Sequence, residues 1–364
     1  MNAHKEVMRL YKKQVALENE WYNLRPILGH ANWAIFYLLL GGREAGKSYS
    51  VTNFFVDQWK NKGMPFTWLR LTEAASRKLL QNNAEKLIDP DLRRKYNLDL
   101  VTSGNNVYEV TKRTEPDENG KTKILEKKLM ARVYAISTFY NDKGSIFDKD
   151  FLNDPNMRYN IAIDEFQREE GEKNTFDITY SLVNQLENLV RSTKERTKIF
   201  FLGNTLEESS DILCAFNFIP ETWGIYKLKK KRAVIHYIAP SDAYKKRRQG
   251  TIADLLLPNA STFTNQINTD NTLITKQRLK EPTYIIKFRK DPSTWFTVWD
   301  GNIVRKYNKE KKDAIAMRPY LDNTFNVEQQ KQIMMLFDTR SYMFSNLITF
   351  KEFQKQLALL KPRG

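Results

Sequence analysis

Residues 38–50 read LLLGGREAGKSYS, an apolar run that stops at two glycines and restarts after Gly-Lys-Ser. The spacing G-x-x-x-x-G-K-[ST] is that of a phosphate-binding loop when a strand precedes it and a helix follows it. The run from Ala34 to Leu40 predicts a buried strand, and SYSVTNFFVDQWKNKG predicts a helix closed by Gly63. This context favours a nucleotide-phosphate cradle over the alternative, an accidental glycine turn.

The chemistry of phosphate binding explains the spacing within this loop. Small residues let backbone N–H groups wrap a β-phosphate, Lys47 reaches the β and γ oxygens, and the Ser48 hydroxyl ligates Mg²⁺. We therefore expect ATP and Mg²⁺ as cofactors. The predicted nucleotide-binding residues of the loop are Gly41, Gly42, Arg43, Glu44, Ala45, Gly46, Lys47 and Ser48.

A second motif, NIAIDEF, places two carboxylates after a buried strand. We expect Asp164 to hold Mg²⁺, in part through water, and Glu165 to polarise the attacking water. Adjacent carboxylates are common at strand ends, but a phosphate loop upstream favours a hydrolytic pair. An extra strand, Ala131 to Ser137, between the two motifs, together with Glu165, favours the additional-strand, catalytic-glutamate class of P-loop ATPases over kinases and GTPases.

Further candidates surround the next predicted strand, KIFFLGN. Asn204 ends this strand, where it is either a sensor of the γ-phosphate or attacking water or simply a turn residue. Upstream, NLVRSTKER supplies Arg191, Lys194 and Arg196 at the end of a helix, where cations often only complement the helix dipole. In a ring ATPase, however, Arg191 is a candidate finger that enters the neighbouring subunit's site.

The order of predicted elements indicates an α/β ATPase domain with a mostly parallel sheet and an inserted hairpin, followed by a smaller α+β domain. A helical stripe of Leu10, Leu17, Trp21 and Leu24 is predicted to end at Pro26 and Gly29, and a helical tail is predicted from Val327 to Leu360. The predicted divisions are an N-terminal helical extension, 1–30, the ATPase domain, 31–208, a basic connector, 209–250, and the C-terminal domain, 251–364.

The formal net charge of +16 over 364 residues points to a polyanionic partner, with nucleic acid as the leading candidate over a generally basic soluble surface. A lone Cys214 fits a reducing cytoplasm, and the apolar runs are too short to cross a membrane. The predicted nucleic-acid-binding residues are Lys229, Lys230, Lys231, Arg232, Lys245, Lys246, Arg247 and Arg248.

The stretches GGREAGKSY, NIAIDEFQRE and LVRSTKERTKIFFLGN, with a tail around SYMFSNLITFKEF, resemble the DNA-packaging (encapsidation) ATPases of small protein-primed tailed phages of the Picovirinae type. The resemblance is specific over roughly residues 30 to 205 and looser beyond. It implies a homomeric ring, commonly a pentamer, that moves double-stranded DNA through a portal into a prohead, in some members with a structural RNA. It also implies a host-cytoplasmic protein that acts transiently at the portal vertex, with Arg191 and, in YNDKGS, Lys143 acting in trans.

The family's C-terminal domain resembles an RNase H-type nuclease that has lost its metal site. Two-metal cleavage needs several converging carboxylates, but Asp291 precedes a proline and Asp300 precedes a glycine, both turn contexts. The region also has Asp313, Asp322 and Asp338. A degenerate domain is therefore favoured, while an active packaging-type nuclease and a non-enzymatic nucleic-acid-binding scaffold remain the alternatives.

Overall fold

A computed structural model describes residues 21–116, 120–138, 158–166, 178–190, 197–204, 211–220, 222–256, 271–308, 319–322 and 326–360. The chain divides into two compact units. The first consists of Met1–Ile212 and Pro220–Asn268, and the second of Leu213–Ile219 and Thr269–Gly364. The predicted trans residues, Arg191 and Lys143, lie outside the described residues, as do Lys194 and Arg196.

The described residues of the first unit form a nine-stranded sheet in the order β3-β4-β5-β2-β6-β7-β1-β9-β8. Each neighbouring pair in the series β5, β2, β6, β7, β1 and β9 is parallel. At one edge β4 pairs antiparallel with β5 and β3 pairs antiparallel with β4, and at the other edge β8 pairs antiparallel with β9. The strands are β1 (Phe36–Gly41), β2 (Phe66–Arg70), β3 (Leu100–Ser103), β4 (Asn106–Arg113), β5 (Ile124–Ala135), β6 (Tyr159–Asp164), β7 (Thr197–Asn204), β8 (Gly224–Leu228) and β9 (Ala233–Tyr237).

Along the chain, helices follow the parallel strands β1, β2 and β6 of this sheet. The apolar stripe of the second helix packs Val51, Phe55 and Val56 against Trp68 and Phe200 in one aromatic-rich core. The helices are α1 (Arg25–His30), α2 (Lys47–Lys62), α3 (Glu73–Ala84), α4 (Pro90–Tyr96), α5 (Ile178–Val190), α6 (Asp211–Ala215), α7 (Asp242–Arg248) and α8 (Ile252–Leu256). The predicted mixed α/β fold with a large, mainly parallel sheet and an inserted β4–β5 hairpin is confirmed.

The second unit has its own sheet and core. Its described residues form five strands in the order β13-β10-β11-β12-β14, and the aromatic core includes Phe288, Phe296, Phe344 and Phe353. The elements are β10 (Pro282–Lys287), β11 (Trp295–Trp299), β12 (Ile303–Lys306), β13 (Pro319–Asp322), α9 (Val327–Asp338), β14 (Met343–Phe344) and α10 (Leu347–Ala358).

The N-terminal prediction needs a correction at Pro26. This proline does not end a helix but lies in the first turn of α1, where its missing N–H costs nothing and its fixed φ suits the helix. Leu24 and Ile27 are buried in the core of the large sheet. The end of the predicted N-terminal extension is therefore part of the first unit, while residues 1–20 lie outside the described part of the chain.

The predicted connector, 209–250, differs from the structure as well. Two of its segments, β8 and β9, extend the large sheet, with β9 pairing in parallel with the phosphate-loop strand β1. The reason lies in the apolar run of β9, whose side chains from Ala233 to Tyr237 are all buried. Because basic residues precede and follow β9 in the sequence, the segment was predicted to be a connector and this core strand was missed.

The tail and the extra strand also differ from their predictions. The predicted helix from Val327 to Leu360 is two helices separated by β14, because Phe344 is buried in the core and Met343 pairs with Ile303 of β12. The strand containing Ala131 pairs with β2 on the far side of β6. The strand that separates β1 from β6 in the sheet is β7.

Among the described residues, no helix is long and apolar enough to cross a membrane.

Candidate nucleotide site

The phosphate loop leaves β1 at Gly41 and enters α2 at Lys47, as the sequence predicts. Gly46, the residue before the helix, has a φ of +89°, in the left-handed region that favours glycine. A Cβ atom at this position would lie 3.2 Å from Trp21 Cε3. Both the backbone conformation and the close approach of Trp21 therefore favour glycine at this point.

Lys47 is buried within the curve of its own loop. Its Nζ donates to the carbonyl oxygens of Gly41 and Gly42, at 2.9 and 2.7 Å. Burial lowers the pKa of Lys47 to about 8, although Asp164 and Glu165 oppose this effect. The loop thus holds a buried cation that an anionic ligand would stabilise in its charged form.

The two predicted acids lie across from this lysine, at the carboxyl end of β6. Asp164 is 7% exposed, and burial raises its pKa despite the nearby guanidinium of Arg70. Glu165 has a φ of +52° and donates its backbone N–H to the Leu202 carbonyl oxygen at 2.9 Å. This left-handed turn separates the two side chains, so Asp164 is buried while Glu165 is largely exposed.

Arg70 is a site residue that the sequence analysis missed. It ends β2, the strand beside β6, and its Nη2 lies 3.2 Å from Asp164 Oδ2. Its Nη1 forms an ion pair with Glu165 Oε2. A cation at the end of the FTWLR strand was the available signal, but only the strand order puts it beside the Asp-Glu pair.

These residues surround one cavity of about 690 Å³ at the carboxyl edge of the parallel strands. Asn204 lines it from the end of β7, in register with Gly41 of β1. All of the predicted loop residues from Arg43 to Ser48 line it too, as do Asp164 and Glu165. The cavity also has an apolar side, formed by Leu79, Leu87 and Leu92.

The predicted nucleic-acid-binding residues fall into two groups at opposite ends of the sheet. Lys229–Lys231 form a 3₁₀ turn before β9, and the Arg232 carbonyl accepts from Phe36 N at the start of β1. The other group follows β9 and lies on α7, at the end of the sheet that carries the phosphate loop. Within this second group Arg248 pairs with Glu44 of the loop.

Among the described residues of the second unit, Asp291 and Asp300 lie in turns and do not form a comparable site. Asp291 accepts from Ser293 N at 2.9 Å, and Asp300 accepts from Lys280 N and Glu281 N at 3.2 and 3.0 Å. No group of three or more His, Cys, Asp or Glu residues suited to a metal ion occurs in the described part of the chain. Asp313 lies outside that part.

A strand-loop-helix motif with the spacing of a phosphate loop, an Asp-Glu pair and one strand between the two are the features of the additional-strand type of P-loop fold. Over nearly the whole chain, this is the fold of phage DNA-packaging ATPases. The structure called "The bacteriophage Phi-29 viral genome packaging motor assembly" matches with a TM-score of 0.59 and 18% identity, covering 93% of this chain and 98% of that one. "The Phi-28 gp11 DNA packaging Motor" matches with a TM-score of 0.58 and 16% identity, covering 95% and 100%. No protein-family model and no curated protein matches the chain.

Proposed function

We propose that this protein is an ATPase that drives double-stranded DNA into a viral prohead as a homomeric ring. The observation that carries the proposal is the placement of Lys47, Asp164 and Glu165 around one cavity at the carboxyl edge of the sheet. A fold shared with two packaging motors over at least 93% of the chain supports the same conclusion.

The residues present fit ATP and Mg²⁺. Lys47 is buried and its Nζ donates to two neutral carbonyl oxygens, so phosphate oxygens would add anionic partners to those of Asp164 and Glu165. The first N–H groups of α2, which lack intrahelical acceptors, follow the loop directly and are donors suited to an anion. Mg²⁺ would be held by Ser48 and Asp164 and would supply charge neutralisation at the β and γ oxygens.

Glu165 is the group that orients and polarises the attacking water in this proposal. Its side chain is more exposed than that of Asp164, so it reaches the open part of the cavity. Arg70 forms an ion pair with the Glu165 carboxylate and thereby fixes its position beside the cavity. Asn204, at the end of β7 beside Gly41 of the loop, is proposed to contact the γ-phosphate or the water.

Arg191 is proposed as the finger that acts in trans. It follows α5, which ends at Val190, and precedes β7, which begins at Thr197. Because β7 is parallel to β1, Thr197 lies at the opposite end of the sheet from Asn204 and the phosphate loop. The resemblance and the sequence position of Arg191 between α5 and β7 support a role in the site of a neighbouring subunit. Lys143 is proposed as a second trans-acting cation on the resemblance alone.

A mixing experiment tests Arg191. Arg191→Ala and Glu165→Gln should each bind ATP and hydrolyse it poorly, because each ring site takes one residue from each of two subunits. A mixture creates some junctions with both residues intact, so activity should return to at most roughly a quarter of sites at equal ratio under random assortment. Wild-type turnover by assembled Arg191→Ala rings would exclude the finger, and Lys143, Lys194 or Arg196 would then be tested.

The DNA partner is proposed from charge. The turn of Lys229, Lys230 and Lys231 is exposed, and Arg232 follows it on the same edge. These residues and the exposed Lys245 and Lys246 at the other end of the sheet are proposed as two phosphate-binding patches. On the resemblance, we also propose that the partners include the portal, the prohead and a structural RNA. The protein would act transiently at the portal vertex of an assembling phage in the host cytoplasm.

Salt dependence tests the patch that contains Lys229. Replacing Lys229, Lys230, Lys231 and Arg232 by alanine should weaken DNA binding and flatten the log-log salt slope by about 0.9 for each lost phosphate contact. The measurement is DNA affinity over a salt series, with nucleotide affinity as the internal control. An unchanged slope would assign the turn to another partner.

The second unit is proposed to be a degenerate nuclease-like domain. Of its described strands, only β13 contains a carboxylate, Asp322, and the acids Asp291 and Asp300 accept hydrogen bonds in turns. Among the described residues, Asp291 and Asp300 do not supply the convergent carboxylates that two metal ions require. Metal-dependent DNA cleavage that disappears on changing Asp291 or Asp300 would restore the nuclease alternative, and absence of ATP turnover would favour a scaffold.

A further inference from the structure

The arginines at the end of α7 contact the phosphate loop and its cover. Arg248 Nη1 lies 3.3 Å from Glu44 Oε2, and only 12% of the Arg248 side chain is exposed. The Arg247 guanidinium carbon lies 3.7 Å from the centroid of the Trp21 ring, which covers Gly46. Both contacts are within the first unit.

The short helix is fixed in place by its own residues. Tyr244, in the middle of α7, is 3% exposed. The Ser241 hydroxyl caps the helix by accepting from Tyr244 N at 3.1 Å. Because the helix is anchored on its buried side, the position of Arg248 relative to the loop is set by the fold and does not depend on a freely moving surface side chain.

The carboxylate of Glu44 is the reason why the phosphate loop needs the guanidinium of Arg248 beside it. Its φ of +62° is unfavourable for an L-residue, so the position would tolerate glycine better unless the side chain has a use. Glu44 also lines the same cavity as Lys47. A free carboxylate there would repel a bound triphosphate, and the guanidinium of Arg248 neutralises it.

We propose that Arg248 is a positioning residue of the nucleotide site, which offsets the negative charge of the phosphate loop through Glu44. The proposal rests on nucleotide binding by this loop, as proposed above. It divides the basic residues of α7 by role: Arg248, with Arg247 on Trp21, belongs to the nucleotide site, whereas the exposed Lys245 and Lys246 remain available to a polyanion.

A double-mutant cycle on the full chain tests the proposal. Arg248→Ala should raise the dissociation constant and KM for ATP roughly five-fold, with a smaller change in kcat. Arg248→Lys should retain most of the affinity because it keeps the charge. Adding Glu44→Gln to Arg248→Ala should restore the affinity, because no carboxylate is then left to repel the phosphates. The measurements are calorimetric binding of a non-hydrolysable ATP analogue and steady-state ATP hydrolysis, both without DNA.

Arg77→Ala is the matched control. Arg77 also pairs with a glutamate, Glu73, but the pair is exposed on α3 and does not line the cavity. Its removal should leave ATP affinity unchanged. If the wild type and Arg77→Ala both fail to bind ATP, the proposed function fails, and this result is distinct from a failure of the role of Arg248.

Three results would overturn the role of Arg248 in a protein that binds ATP. These are wild-type affinity in Arg248→Ala, a loss that Glu44→Gln does not rescue, and a loss confined to DNA affinity. Thermal unfolding of each variant checks the fold. Should Arg248→Ala fail to fold, Glu44→Gln alone carries the test, since it keeps an acceptor for Arg248 while removing the charge. It should bind ATP at least as tightly as the wild type, and a five-fold loss would overturn the proposal.

Discussion

The two sheets of this protein hold their carboxylates in opposite ways. Asp164, at the end of β6 in the large sheet, is buried, and burial raises its pKa. Asp291, in a turn before β11 of the smaller sheet, is exposed, and hydrogen bonds from Ser293 lower its pKa. The first carboxylate is destabilised as an anion and the second is stabilised.

This difference distinguishes acids whose negative charge depends on nearby cations from acids whose negative charge is stabilised by hydrogen bonds within their own turn. The buried Asp164 lies beside Arg70 and across from Lys47, so its charge depends on nearby cations. Asp291 receives donors from the Ser293 backbone and hydroxyl, at 2.9 and 2.5 Å. A carboxylate that accepts hydrogen bonds within its own turn is stabilised as an anion without a cation, whereas a buried carboxylate at a strand end depends on one.

The largest expected effect is at the large sheet, where Lys47 and Glu165 have different proposed tasks. Lys47→Ala should abolish ATP binding, because the cavity loses its buried cation. Glu165→Gln should keep binding but lose turnover by roughly 10² to 10⁴, the usual contribution of a general base. Calorimetry with a non-hydrolysable analogue and phosphate release separate the two effects.

The control for this pair is a carboxylate of the smaller sheet. Asp300→Asn makes the same chemical change as Glu165→Gln but lies in a turn of the second unit. It should leave both binding and turnover intact. Equal losses of nucleotide affinity in Lys47→Ala and Glu165→Gln would show that the division of roles is wrong.

The phosphate loop and the Asp-Glu pair could be predicted because they are contiguous in the sequence. A loop such as GGREAGKS specifies its own backbone, and an apolar run ending in Asp164 and Glu165 predicts a strand end. Both motifs therefore fell in the elements where the structure has them. Their meeting at one edge followed from the parallel sheet alone.

Residues brought together by strand order could not be predicted in the same way. Arg70 reaches Glu165 only because β2 pairs with β6, and Arg248 reaches Glu44 only because β9 pairs with β1. Arg70 is a lone basic residue and Arg248 is the last of four consecutive basic residues, and no local pattern distinguishes either from a solvated surface charge. The prediction of a connector was wrong for a related reason. The charged residues on both sides of β9 were given more weight than the five buried residues of the strand itself.

A smaller effect is expected at Arg70, and it takes the form of a pH dependence. Arg70 lowers the pKa of Asp164 against the opposing effect of burial, so Arg70→Ala should raise that pKa further. Because the proposed Mg²⁺ ligand must be ionised, activity should then be lost at a higher pH as the solution is acidified. The acid limb of kcat/KM against pH should move upward, with a greater loss of activity at about pH 6 than at about pH 8.

Arg70→Lys is the matched variant, because it keeps a positive charge near Asp164 while losing the paired contacts of the guanidinium. Its acid limb should lie closer to that of the wild type. An acid limb that stays in place in Arg70→Ala would mean that Arg70 does not control the ionisation of Asp164, and the contrast between the two sheets would then rest on burial alone.

The smallest expected effect belongs to Asp300 in the second unit, where the structure indicates a role in a turn. Asp300 Oδ1 and Oδ2 accept from the backbone N–H groups of Glu281 and Lys280. Asp300→Ala should therefore destabilise the second unit by about 1 kcal/mol, the usual net value of such hydrogen bonds, while ATP turnover stays unchanged. Asp300→Asn keeps an acceptor oxygen and should cost less. Denaturant unfolding followed by Trp fluorescence measures the difference in stability.

A cleavage assay tests whether Asp300 has a catalytic role instead. DNA incubated with Mg²⁺ or Mn²⁺ should remain uncut by either variant or by the wild type. A stability unchanged in Asp300→Ala, together with wild-type cleavage that the substitution removes, would make this acid a metal ligand and place a second active site in the smaller sheet.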